Sequence, residues 1–333
     1  MKAESSPLVS VLTPVYNNGD HLAECIESVL AQTYANWDYT IVDNCSTDDS
    51  FAVAQRYAVK DPRIRVLRNN QFLKIIPNHN HTIRQISPES KYCKFVFGDD
   101  WIFPRCLEQM VAAAEAYPSV GLVCCYAMDG RQVLWTGLPY PSQFIPGREM
   151  ARKKLLGEPF VFGTPTSQLI RADLARKRLA FFNESNLHAD AEVCLDLLQE
   201  CDFSFVHEIL GFSRPPETGQ SSSFAKEFDS YTLGNLVIFI KYGKACLSDD
   251  EYQQGLHHRL SDYYRKLAKN VLRLRSSDFW EYHKSTLAAF NQEIRQPLLV
   301  KYVLRELLWL MRHPVAGATD NLSWWRREFG RIH

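Results

Sequence analysis

The sequence lacks the features that would place it quickly in a simpler class of protein. No charge of one sign predominates: lysine plus arginine number 38, and so do aspartate plus glutamate. A neutral chain sets up no overall field for nucleic acid, so no nucleic-acid partner is expected. The nine cysteines include no C-x-x-C pair, which argues against a thiolate zinc site or a redox motif. Cys93, Cys124, Cys125 and Cys194 lie inside apolar runs and read as buried thiols of a reducing compartment. No apolar run approaches the roughly 20 residues that a membrane-spanning helix needs. The opening MKAESSPL lacks the apolar h-region of a signal peptide. There is no internal repeat and no low-complexity tract. The expectation is a soluble, cytoplasmic protein.

What is present is enough for a large core: 333 residues, 46% of them hydrophobic. Val9-Ser10-Val11-Leu12 is a short, mostly apolar run that reads as a strand buried on both faces. Asn17-Asn18-Gly19 follows as a turn. Asp20 can then cap a helix that carries Leu22, Ile26, Val29 and Leu30 on one face. Tyr39 to Val42 is a second strand and runs into Asp43-Asn44-Cys45-Ser46-Thr47-Asp48. In open parallel sheets, polar groups at the carboxyl ends of strands are where ligands bind.

Ser46, with Asp49 three residues on, is positioned to cap a helix through Phe51–Val59. Ile64 to Leu67 reads as a third strand, 77–86 as a helix and Lys91 to Phe97 as a fourth strand. Pro104 suits the first position of the next helix, and Val120 to Tyr126 reads as a further central strand. This alternation implies an α/β fold with a doubly wound, mostly parallel sheet. Past Asp129 the pattern loosens into Gly, Pro and aromatics. A turn at Gly163–Ser167 enters a strand, Glu192–Leu198 has helical spacing, and Ser204–Leu210 is a last strand. Gly211 to Ser223 reads as a Pro/Gly/Ser-rich linker. Helical periodicity then dominates at Tyr231–Tyr242, Glu251–Leu272 and Pro297–Arg312. The tail Ser323–Phe329 mixes Trp324 and Trp325 with Arg326 and Arg327. It reads either as a helix docking on the core or a partner subunit, or as an amphipathic helix on a membrane surface.

Asp99-Asp100, at the end of the fourth strand, is the sharpest chemical signal. Adjacent carboxylates at a sheet edge can hold a hard divalent cation that bridges two phosphates. A solvated turn or a helix cap is the plainer explanation of such a pair. Asp43 and Asn44 likewise suit either an Asx-turn or a ligand contact, and Asn44 can both donate and accept. The first βα turn, TPVYNNGD, has neither the G-x-G-x-x-G fingerprint nor a Lys-bearing phosphate loop. That argues against a dehydrogenase or nucleotidyltransferase.

Stretches taken in chain order resemble family 2 glycosyltransferases. VSVLTPVYN matches their first strand, and IVDNCSTDDS matches their V-D-D-G-S-T-D. KYCKFVFGDDWIFP resembles G-E-Y-I-x-F-L-D-S-D-D-x-x-x-P, with Phe97 where the first aspartate of the D-x-D element lies. FFNESNLHADAEVCLDLL resembles G-F-D-E-x-x-x-x-x-E-D-x-D-L-x-L-R-L, with Ala189 in place of the glutamate.

The resemblance covers about Val9 to Leu198. It implies a GT-A type sheet with a helical appendage: a catalytic domain over 1–223, with nucleotide-sugar binding in about 1–126 and acceptor binding in 127–223, then a helical region over 224–333. By that resemblance Pro14 and Tyr16 line a nucleobase pocket, and Asp43 and Asn44 hold the base. Tyr16 as an ordinary core residue is the other reading. Arg68, Asn78 and Asn80 contact sugar or phosphate. Asp99, helped by Asp100, carries manganese or magnesium.

The resemblance likewise makes Asp190 the candidate catalytic base of an inverting transfer, with helix capping as its plainer role and His188 as a second candidate. The donor would be a nucleotide-diphosphate-sugar. The acceptor would be a glycan or lipid-linked glycan of bacterial surface polysaccharide, with the enzyme cytoplasmic or peripheral at the inner face of the membrane. The rival reading is an inactive sugar-nucleotide-binding module.

Overall fold

The structure is a computed structural model and describes residues 6–158, 161–215 and 220–313. Internal contacts divide the chain into two compact units: Met1–Gly219 with Ala245–Leu247, and Gln220–Lys244 with Ser248–His333.

In the first unit the order is β1 (Val9–Val15), α1 (Gly19–Leu30), β2 (Trp37–Asp43), α2 (Ser50–Ala58), β3 (Ile64–Arg68), α3 (Ile75–Ile83), β4 (Tyr92–Phe95) and β5 (Trp101–Ile102). Then come α4 (Cys106–Glu115), β6 (Val120–Met128), β7 (Val133–Leu134), β8 (Phe144–Ile145), α5 (Gly147–Leu155), β9 (Gln168–Arg171), α6 (Ala172–Arg176), α7 (Ala189–Leu197) and β10 (Asp202–Phe212). The sheet runs β3-β2-β1-β4-β9-β6-β10-β5, with β7 on β6 and β8 on β10. Strands β3, β2, β1 and β4 are mutually parallel. This is the mostly parallel, doubly wound sheet that the alternation implied.

Strands β5, β7 and β8 pair antiparallel at the margins, and one interior strand also departs from the pattern. β9 enters antiparallel between β4 and β6. After α5 the chain reaches it through the turn at 163–167, which leads straight into the strand. Gly163 makes that turn at φ +65, in the left-handed region. A Cβ there would stand 2.8 Å from the Cβ of Ser167.

Several capping expectations are corrected. Asp20 lies inside α1, which starts one residue earlier, and Asn18 at the cap position accepts from Tyr16 N–H instead of capping. Ser46 does not cap α2; its hydroxyl accepts from Asn17 N–H, and Ser50 accepts from Asn18 N–H. With Gly19 N–H donating to Asp48, the 46–50 loop cradles the first turn. A Cβ on Gly19 would sit 2.0 Å from Asp49 Oδ1, so a larger residue there would have to turn that exposed side chain aside. α4 starts at Cys106 rather than at Pro104.

The supposed linker after Gly211 is partly regular: β10 continues to Phe212, and α8 (Gln220–Glu227) follows. The second unit continues with α9 (Ser230–Cys246), α10 (Asp249–Leu272), α11 (Ser277–Ala289) and α12 (Gln296–Arg312). α11 was not foreseen. Its buried face includes Phe279, His283 and Leu287, and polar residues between them blur the period in sequence. Tyr263 Oη meets His283 Nδ1 at 2.9 Å inside this helical core. The tail Ser323–Phe329 lies outside the described residues. No described helix is long and apolar enough to cross a membrane.

Candidate active site

Because β1, β2 and β4 are parallel neighbours, their carboxyl ends lie along one edge of the sheet. That edge presents Tyr16 after β1, Asp43 at the end of β2, and the Asp99-Asp100 pair a few residues beyond β4. It is the position where strand order reverses around β1, the switch point at which open α/β sheets take ligands.

Asp43 is buried and accepts from Ser46 N–H at 3.3 Å. Arg68 Nε lies 3.2 Å from its carboxylate, and the same guanidinium donates to Ser46 O. Pro14 is buried within β1, while Tyr16 is half-buried and faces Phe72 at 4.9 Å between ring centroids. Phe72 is 53% exposed, so an aromatic pair stands open beside the buried carboxylate. Phe72 was not singled out in the sequence, since an isolated aromatic in a loop carries no periodic signal.

Asn44, expected to meet a base, has its amide occupied within the protein. It donates to Leu73 O at 2.8 Å, and its oxygen accepts from Leu73 N–H at 2.9 Å and from Asn69 at 2.8 Å. The side chain copies a strand partner and pins the loop that carries Phe72. Asn69 also donates to buried Asn78, so Asn78 serves the same loop. Asn80 makes a similar clasp on the N–H and carbonyl of Phe182. Through it α3 is fastened to the segment that leads into α7. His79, between these two asparagines, stacks on Phe97 at 5.0 Å. Burial pushes its imidazole down to about 4, so it is neutral at physiological pH.

The two aspartates differ sharply. Asp100 is buried; Thr166 donates to Oδ2 at 2.6 Å and Arg214 N–H to Oδ1 at 3.0 Å. Burial, with the neighbouring charge of Asp99, pushes its carboxyl up to about 7. The Asp99 carboxylate is half-exposed and carries no ion pair or side-chain hydrogen bond recorded among the described residues. A hard cation is commonly held by one or two carboxylates together with substrate phosphates and water. Asp99 fits that arrangement, with a donor's phosphates completing the shell. Asp100, expected to help, has both oxygens engaged inside the protein. Among the described residues no three His, Cys, Asp or Glu side chains gather into a cation cage.

Arg214 escaped the sequence reading because it lies in the stretch read as a linker. Its Nε donates to Asp99 O, and its terminal nitrogen pairs with Glu24 at 2.8 Å. It therefore holds the Asp99 backbone carbonyl while its charge is met by Glu24. Lys94, also unforeseen, is wholly buried and donates to the carbonyls of Thr166 and Gln168. It holds from beneath the turn that reaches Asp100.

Asp190 stands in the first turn of α7, half-buried. Burial raises its carboxyl above the usual range, opposed by the Ala191 N–H that it accepts and by the charge of Lys154. Glu192 is buried and takes hydrogen bonds from Asn183 and Asn186, ordering the loop that precedes the helix. His188 occupies the cap position without a side-chain capping bond. Asp43, Arg68, Asn44 and Asn78 thus form one connected group, and Asp99, Asp100 and Arg214 a second. Among the described residues Asp190 makes no hydrogen bond or ion pair to either group, and the loop ahead of its helix is clasped to α3 by Asn80.

A family model described as Glycosyl transferase family 2 matches residues 10–179, which span the strand ends just described. The chain belongs to glycosyl transferase family 2. It is 45% identical over 253 residues to glycosyltransferase GlyG of Streptococcus pneumoniae, covering 73% of this chain and 81% of that one. It is 24% identical over 309 residues to the GalNAc(5)-diNAcBac-PP-undecaprenol beta-1,3-glucosyltransferase of Campylobacter jejuni, covering 90% and 93%. Putative glycosyltransferase EpsE of Bacillus subtilis is 37% identical over 114 residues, and the match spans only 40% of that protein.

Among solved structures, TarS 1-349 of S. aureus in complex with UDP-GlcNAc superposes with a TM-score of 0.62 at 18% identity, covering 88% of this chain and 82% of that one. Mannosyltransferase PcManGT of Pyrobaculum calidifontis, in complex with GDP-Man and Mn2+, gives 0.55 at 15% identity, covering 92% and 81%. At these identities the structural likeness shows a shared fold. As a family 2 member the chain is a glycosyltransferase.

Proposed function

We propose that this glycosyltransferase moves a sugar from a nucleoside-diphosphate sugar to a hydroxyl of a glycan acceptor, with inversion, in the synthesis of bacterial surface polysaccharide. The observation that carries this reading is the single sheet edge holding Asp43, Asp99 and the open Tyr16–Phe72 pair. Those groups suit the three parts of a nucleotide-sugar: a buried carboxylate for a ring N–H, aromatic faces for the base, and an exposed carboxylate for the diphosphate end.

Tyr16 and Phe72 stack the base while Asp43, oriented by Arg68, accepts from it. Asp99 would hold magnesium or manganese, which would offset the charge developing on the departing diphosphate. Arg214 holds the Asp99 backbone carbonyl. Asp190 accepts the proton of the acceptor hydroxyl as its oxygen attacks the anomeric carbon. Its raised affinity for a proton suits a general base better than an ordinary exposed carboxylate. On this reading residues 1–126 bind the donor, 127–223 face the acceptor, and 224–333 form the helical region. UDP-GlcNAc and GDP-Man in the structural neighbours, and an undecaprenol-linked glycan in the name of one relative, support a nucleotide-sugar donor and a lipid-linked acceptor. Such an acceptor would bring the enzyme to the cytoplasmic face of a membrane.

The test is a thermal-shift screen of nucleoside diphosphates and nucleotide-sugars, with and without manganese, followed by transfer and donor-hydrolysis assays. Asp190→Asn should keep the donor-induced shift and lose turnover by about 10²–10⁴-fold. Asp99→Ala should lose the metal-dependent part of the shift. No response to any nucleotide, or full turnover by Asp190→Asn, would refute the reading.

A further inference from the structure

Helix α12 turns an apolar stripe to solvent. Val300, Leu304, Leu307, Leu308 and Met311 are 55%, 56%, 40%, 50% and 69% exposed. Their spacing, i, i+4, i+7, i+8 and i+11, confines them to about 100° of arc on a helix of 3.6 residues per turn. The stripe is not what holds the helix in place. Leu299 is buried on a different face, in the cluster that includes Tyr264 and Leu267 of α10, with Leu298, Tyr302 and Val303 packed against it.

The charges on α12 are distributed with the same one-sidedness. Lys301, Arg305 and Arg312 follow one another along the arc next to the stripe. All three are exposed, and none makes an ion pair recorded among the described residues. Arg305 lies over the ring of Tyr302 at 5.5 Å, which leaves its charge in solvent. The only acid of the helix, Glu306, points elsewhere; it lies 3.8 Å from Lys269 and its side chain is 14% exposed. The outward side of α12 therefore carries aliphatic groups and cations, with no carboxylate among them. Trp309, 41% exposed and stacked on His313, adds an amphipathic ring to it.

An apolar stripe bordered by unpaired cations complements one surface chemistry in particular, the boundary between acyl chains and anionic headgroups. We propose that α12 docks this chain on the surface of an anionic lipid bilayer. Val300, Leu304, Leu307, Leu308 and Met311 enter the headgroup boundary while Lys301, Arg305 and Arg312 meet lipid phosphates. This deepens the lipid-linked acceptor reading above, on which its use to the cell rests, but the surface itself is read from α12 alone. A second copy of the chain is the rival occupant and fits less well. An antiparallel two-fold contact along the stripe would bring the cations of both copies to one rim, and in either orientation no α12 carboxylate meets them. Five side chains are also few against the roughly 20–30 residues a side of a stable interface.

The experiment is sedimentation of the full chain with vesicles of phosphatidylglycerol and phosphatidylcholine, and with phosphatidylcholine alone, at low and high salt. Wild type should bind the anionic vesicles at least tenfold more tightly than the neutral ones and lose most of that preference in high salt. Leu304→Gln with Leu308→Gln should lower binding to anionic vesicles by tenfold or more. Glutamine keeps helix propensity and both sites are exposed, so the melting temperature should not move. Lys301→Gln with Arg305→Gln should flatten the salt dependence.

No binding by wild type, or equal binding by wild type and the leucine variants, would overturn the proposal. So would a loss produced by Trp324→Ser with Trp325→Ser and not by the α12 variants, which would put the contact in the tail. A concentration-dependent dimer in sedimentation velocity, broken by the leucine variants and unaffected by lipid, would assign the stripe to a second copy. The nucleotide thermal shift is read separately on the same samples. Failure of the donor site and failure of the membrane contact are thereby told apart.

Discussion

Thr166 donates its hydroxyl to Asp100 Oδ2 at 2.6 Å while accepting Phe97 N–H at 3.2 Å. Residues 66 positions apart are thus joined by a chain of hydrogen bonds that runs from the segment after β4 to the turn before β9. With Arg214 N–H on the other oxygen, Asp100 becomes the post that fixes its neighbour. Asp99 is left facing outward on a backbone that has little freedom to move.

Thr166→Val keeps the shape and removes both bonds. It leaves the Phe97 N–H and one Asp100 oxygen without partners, which should cost about 1–3 kcal/mol. Urea denaturation of the variant beside Thr166→Ser, which retains the hydroxyl, measures it. Transfer activity should fall with Val and largely return with Ser.

Asp100 also sets a direction for the pH dependence of stability. Its carboxyl is raised from the ordinary 3.8 to about 7 by burial. The folded state therefore holds its proton more tightly than the unfolded chain does. The stability this contributes is fully present below about pH 4 and is lost as pH rises through about 7. Asp100→Asn, which cannot ionise, should lack this dependence. Denaturation of both proteins at pH 5 and pH 8 should show wild type losing ground to the variant at the higher pH.

Asn44→Ala should destabilise the fold by about 1–3 kcal/mol, because it strips the N–H and carbonyl of Leu73 of their partner. It should also loosen the loop that carries Phe72. The expected kinetic signature is a raised donor KM with a smaller change in kcat, read from initial rates at varied donor concentration. Equal KM values would show that the 69–73 loop does not form part of the donor site.

Lys94→Met preserves the length of the side chain and removes a charged donor from two buried carbonyls, those of Thr166 and Gln168. A loss of about 1.5–3 kcal/mol is expected, measurable by chemical denaturation. Since the turn under Asp100 is what loosens, turnover should fall together with stability.

Much of this architecture could be read from residues in order. Runs such as Val9–Leu12 and Tyr39–Val42 are apolar enough to be buried on both faces, and alternation with amphipathic helices leaves a parallel sheet as the simple outcome. The polar clusters after those runs then had to fall at one edge, which located Asp43 and Asp99 before any coordinates. Period and adjacency are local properties, and a local reading captures them. The free or engaged state of each side chain is a different kind of fact. Asn44 and Asp100 sit in the expected places, yet their polar atoms are taken by Leu73, Thr166 and Arg214, partners 29, 66 and 114 residues away.

The sequence by itself determined the class of fold, the family and the edge where the carboxylates gather. It also determined that 297–312 is a helix, though not that five of its apolar residues would stay in solvent. The tertiary structure alone decided that β9 runs antiparallel, that Asp100 is a protonatable post rather than an open ligand, that Arg214 reaches Asp99, and which face of α12 is buried. Each of those depends on a contact between segments distant in the chain. Burial and hydrogen-bond pairing are settled by what packs against a group, and a residue's neighbours in sequence do not specify its neighbours in space.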